Sequence, residues 1–162
     1  MKKIIITIII SLSILSLSAQ SQDIEDTTIL TQRVETLEKQ VSYLTLYNEL
    51  TSFVYEIEIT LNKINIETLG IELNTHKFSC YQFVYDQYLE NFELNKRLFK
   101  ACDMRLDFVK KLVGTQTNKY EFSEREIKDI QHYLTKIELL IESFEQNLEL
   151  MSVALKNYND KI

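Results

Sequence analysis

Proline is absent from all 162 residues and glycine occurs only twice, at Gly70 and Gly114. These are the residues that punctuate a chain, because proline cannot continue a helix interior and glycine supplies the backbone conformations of tight turns. A chain with almost none of either has few places to stop, and long helices are its natural solution.

Apolar spacing says where those helices lie. Ser123-Glu124-Arg125-Glu126 has the form of a capping box, with Phe122 and Ile127 as the accompanying hydrophobic staple. From there Ile127, Ile130, Leu134, Ile137, Ile141, Phe144, Leu148, Met151, Leu155 and Tyr158 alternate by three and four, one seam along a helix ending near Asp160. A middle seam runs through Tyr81, Tyr85, Tyr88, Phe92, Asn95, Phe99, Cys102, Leu106, Val109 and Val113. Lys110 and Lys111 suit its last turn, and Gly114 is placed for a left-handed cap. The first seam reads Leu30, Val34, Leu37, Val41, Leu44, then steps by three into Tyr47, Leu50, Val54, Ile57, Leu61 and Ile64, which has the form of a stammer.

With one turn at Gly70 and another over 114–122, the helices span about 28–66, 75–113 and 123–160. The expected fold is all-α, an elongated antiparallel three-helix bundle about 57 Å long. The alternative is a first helix that runs through Gly70 into the second, since glycine costs only about 1 kcal/mol inside a helix. Such a helix would need partner chains to cover its seam.

The N-terminus reads differently. Met1-Lys2-Lys3, an apolar run from Ile4 to about Leu17, and the small and polar residues Ser18, Ala19, Gln20 and Ser21 match a secretory signal peptide over 1–19, followed by a short flexible stretch over 20–27 and one bundle domain over 28–160. A membrane span needs roughly 20 apolar residues, more than are present, so no stable membrane insertion is expected after cleavage. Removing Lys2 and Lys3 takes the net charge from −6 to −8. Nucleic acid is a poor partner for such a chain, because binding a phosphate backbone needs a basic patch that releases counterions. The expected location is extracytoplasmic, periplasmic or secreted.

Candidate chemistry is sparse. His76 follows Glu72 by four residues and His132 follows Asp129 by three, an echo of di-metal bundle sites that stops at spacing, since His132 falls on the outer face. Cys80 and Cys102 are 22 residues apart; on one helix that is about 33 Å, beyond the roughly 7 Å within which a disulfide can close. No intrachain bridge is expected, and Cys80, off the seam, is the candidate for an interchain one. Phosphate-cradling glycine loops are absent, and no catalytic, cofactor or metal residue is assigned.

The densest aromatic stretch, Phe78 to Phe92, offers Tyr81, Phe83, Tyr85, Tyr88 and Leu94 as a possible interface, because tyrosine joins a large apolar body to a polar tip. The expected function is a non-enzymatic, exported helical bundle that binds another envelope or surface protein, or itself as a homo-oligomer. An accessory component of a secretion or conjugation apparatus is one example. A small-ligand or metal carrier using the bundle interior is the alternative.

Overall fold

The computed structural model describes residues 24–77 and 80–162. The expected signal peptide, and Phe78 in the aromatic stretch, lie outside them. Three helices follow in order: α1 over Ile24–Lys77, α2 over Gln82–Lys119 and α3 over Glu124–Asn159. The chain divides into two compact units, residues 1–40 and 41–162. In the first unit, the described part is the opening of α1, carrying Leu30 and Val34 half-buried and Ile29 and Leu37 exposed.

The second unit is the bundle, and polar contacts fix its directions. Ser42 meets Gln116, Glu49 and Glu56 meet Arg105, and Asn74 meets Tyr88, so α1 and α2 run antiparallel. Lys110 pairs with Glu138, and Tyr85 stacks on Tyr158, so α2 and α3 are antiparallel too. Tyr43 to Asp129 and Lys161 to Thr75 then show α1 and α3 to be parallel. The expected antiparallel three-helix bundle is the observed fold.

Four of the six expected helix ends move: α1 opens at Ile24 rather than near 28, α2 opens at Gln82 rather than near 75 because Tyr81 is still extended, and the C-terminal ends of both run on because glycine fails to stop a helix. Gly70 lies inside α1, which continues to Lys77, and Gly114 lies inside α2, which continues to Lys119. Neither has left-handed backbone. A single glycine costs about 1 kcal/mol, less than the packing on either side supplies. Past Gly114 the helix is held by Gln116, which accepts a hydrogen bond from Ser42 across the bundle at 2.6 Å. It stops at Tyr120, where the backbone turns extended and the N–H bonds back to the Gln116 carbonyl. The α3 start is as expected: Ser123 accepts from the Glu126 N–H while the Glu126 carboxylate accepts from the Ser123 N–H, and Phe122 is buried.

α1 corrects the first seam. Its buried face is Leu46, Leu50, Phe53, Val54, Ile57, Leu61, Ile64, Thr68, Ile71 and Thr75, and each buried threonine hydroxyl donates to a carbonyl one turn earlier. Leu37, Val41 and Leu44 do not join this face and are exposed. The physical reason is rotational. At about 100° per residue, a three-residue step falls about 60° short of a full turn, so the two successive steps from Leu44 through Tyr47 to Leu50 carry the apolar stripe about 120° around the helix. What looks like a stammer in one seam is a change from one face to another.

Candidate interaction surfaces

The five aromatic and aliphatic residues expected at an interface divide into two groups. Tyr85 and Tyr88 turn inward: Tyr85 stacks on Tyr158 with ring centres 6.4 Å apart, and Tyr88 meets the same ring edge-on at 6.0 Å. The Tyr88 hydroxyl accepts from Asn74 Nδ2 at 2.6 Å, and its oxygen lies 3.7 Å from where a side chain on Gly70 would begin. Tyr81, Phe83 and Leu94 are exposed, with Tyr81 stacked on Phe83 at 5.8 Å. Tyr81 precedes α2 in extended backbone rather than opening its seam, and its N–H donates to the Tyr158 hydroxyl at 3.1 Å.

Both cysteines are free. Cys80 lies before α2 rather than on it, half-buried against the core. Cys102 is on α2, and burial pushes its thiol above the ordinary value, which disfavours the reactive thiolate. His76 and His132 are exposed, the latter with its ring 5.4 Å from Tyr133. Among the described residues no three His, Cys, Asp or Glu side chains gather as a metal site would require. Near one end of the bundle a groove is lined by Glu72, Thr75, His76, Asn157, Asp160 and Lys161. Lys161 is already engaged there, donating to the Thr75 carbonyl at 3.0 Å.

Two polar features sit against the core. Asn95 is buried, its Nδ2 donating to Glu67 Oε2 at 3.0 Å and passing 3.9 Å from the Met151 sulfur, while its Oδ1 has no hydrogen-bond partner among the described residues. Arg105 reaches from α2 to Glu49 and Glu56 of α1 and lies over the Phe53 ring at 4.5 Å. Partial burial works against its charge, but the two carboxylates outweigh that and raise its pKa above the usual arginine value. Both features join α1 to α2.

The larger surface is one that a single-seam reading misses. Tyr55, Ile59, Ile66, Leu69 and Leu73 of α1 are each between 50% and 70% exposed, and with Asn62 they follow the four-three alternation of a coiled-coil stripe. The signal that could have found them is in the sequence as apolar pairs two residues apart: Ile57 and Ile59, Ile64 and Ile66, Ile71 and Leu73. At about 100° per residue, the second member of each pair points about 200° from the first, to the other side of the helix. The first members are buried and the second exposed. On α2, Phe83, Leu94, Met104 and Phe108 are exposed at spacings of the same repeat.

These observations define an all-α bundle whose first helix is apolar on two sides, one filled by its own chain. The chain matches no family model, no curated protein and no solved structure. Among the described residues no helix is long and apolar enough to cross a membrane.

Proposed function

We propose that this is an exported, non-enzymatic helical-bundle protein that works by association with another envelope or surface protein or with itself. The observation that carries the reading is the outer stripe of α1 from Tyr55 to Leu73. Isolated surface leucines are ordinary, whereas apolar residues lined up at helical spacing mark a surface that another protein covers. A second amphipathic face at four-three spacing suits a partner helix laid along it. Export is supported by the sequence of residues 1–19, and an accessory role in a secretion or conjugation apparatus is one setting for such a bundle.

The test is site-specific photocrosslinking in the producing cell, with the probe at Ile66 and a control probe at Asp103, an exposed acidic position on α2. The expected result is a defined adduct with an extracytoplasmic protein or a second copy from Ile66 and none from Asp103. It should be lost in Ile66→Asp protein that keeps its helix content. Equal labelling from both positions, or no adduct from Ile66, would remove the basis for this reading.

A further inference from the structure

The exposed seam at the start of α1 carries the chemistry of its own partner. Val34 and Val41 occupy the first core position of a heptad, and Leu30, Leu37 and Leu44 occupy the second. β-branched residues at the first position with leucine at the second favour two parallel strands. None of these five side chains is fully buried, and Leu37, Val41 and Leu44 are 42%, 41% and 55% exposed.

The flanking charges select orientation. Arg33 immediately precedes a valine of the seam, and Glu38 immediately follows a leucine of it. In a parallel, in-register pair of helices, those two positions meet across the interface five residues apart, so Arg33 of each copy lies beside Glu38 of the other. An antiparallel pair sets Arg33 toward Gln40 instead and leaves Glu38 without a basic neighbour. Both side chains are exposed, and neither forms an ion pair among the described residues. The next first-position residue along is Asn48, also exposed. A polar residue at such a position fixes register in two-stranded coiled coils.

We propose that residues 30–44 of α1 are a self-association seam at which a second copy of this chain docks in parallel and in register, through Leu30, Val34, Leu37, Val41 and Leu44 and two reciprocal Arg33–Glu38 ion pairs. This deepens the association reading on a stretch of α1 separate from the Tyr55–Leu73 stripe, so either surface can fail while the other stands.

Sedimentation equilibrium of the full chain, together with disulfide trapping in a Cys80→Ser, Cys102→Ser background, tests it. The wild-type chain should be dimeric. Leu37→Glu should make it monomeric with unchanged helix content and denaturant midpoint. Arg33→Glu should weaken the dimer several-fold, and adding Glu38→Arg should restore it. Leu44→Cys alone should form an interchain disulfide on mild oxidation. Linkage only when Leu30→Cys and Leu44→Cys chains are mixed would show antiparallel pairing and overturn the proposal. So would a monomeric wild type, a dimer that survives Leu37→Glu, or a Leu37→Glu chain that is monomeric because its fold is lost, since residues 30–44 would then be covered by the chain itself. A monomeric wild type that still gives the Ile66 adduct with another protein would sink this inference and leave the broader reading intact.

Discussion

α2 and α3 have nearly equal lengths, 38 and 36 residues, yet α3 fully buries nine side chains and α2 only three, Asn95, Leu106 and Val109. The rest of the inward face of α2 is half-buried and bulky: Tyr85, Tyr88, Phe92, Phe99 and Cys102. The parallel pair α1 and α3 therefore encloses the deepest core, while α2 leans on it with aromatic rings and polar links. The difference shows how an unequal bundle is held. Where one side of a helix cannot be closed off from water, large rings and ion pairs take over from close-packed aliphatic side chains.

Substitutions at one ring pair probe this inequality most sharply. Phe99 of α2 and Phe144 of α3 meet edge to face at 5.5 Å, with Phe144 fully buried and Phe99 only partly. Phe144→Ala should cost about 3–5 kcal/mol, the range for a buried aromatic. Phe99→Ala should cost about half as much, because its lost area was partly in water already. Equal losses in chemical denaturation would show α2 to be as deeply seated as α3 and break the comparison.

Arg105 comes next in size. Arg105→Met keeps the aliphatic stem but loses Glu49, Glu56 and the Phe53 ring face, and its side chain is 30% exposed. A loss of about 1 kcal/mol is expected, shrinking in high salt, since partly exposed ion pairs contribute little and are screened. A loss insensitive to salt would mean that the packing of the guanidinium plane on Phe53, rather than the ion pairs, holds α2 in place. On α3, Glu138→Ala removes an exposed partner of Lys110 and should shift stability by less than about 0.5 kcal/mol. A larger change would put that pair among the supports of α2.

Much of this architecture was legible in the sequence, and the unreadable parts have physical causes. α3 was legible because its start is written in local hydrogen-bond chemistry, Ser123 with Glu126, and nine of its ten seam residues from Ile130 onward are at least partly buried. The ends of α1 and α2 were not, because Gly70 and Gly114 were expected to act as stops when packing on both sides outweighs their small cost. The burial of the aromatic stretch was half legible. Aromatic character marks both Tyr88, which accepts a hydrogen bond inside the bundle, and Phe83, which faces out; only helix rotation separates them. The α1 stripe is hard to read because each of its residues Ile59, Ile66 and Leu73 follows a buried isoleucine by two positions, so the opposite face hides in apolar pairs within the stronger seam.

The smallest expected effect is at Asn95, where the sign matters more than the size. Its Nδ2 gives α1 a hydrogen bond through Glu67, worth about 1 kcal/mol net. Its buried Oδ1 has no partner, and an unsatisfied buried acceptor costs about 1–3 kcal/mol. Asn95→Leu removes both and adds apolar burial beside Met151, while Glu67, whose side chain is 14% exposed, keeps Lys63 at 3.9 Å and some access to water. The terms nearly cancel, so the denaturant midpoint should stay unchanged or rise slightly. A single polar residue on a seam commonly specifies alignment at a cost in stability, and the loss should therefore appear in the uniqueness of the fold. Amide and methyl NMR spectra of Asn95→Leu should show extra or broadened resonances from α1 and α2 while those of α3 stay sharp. A drop in stability of more than about 2 kcal/mol would instead mean that the Asn95–Glu67 bond is a principal tie of α2 to the bundle. Unchanged, sharp spectra would mean that the Arg105 network alone sets the register.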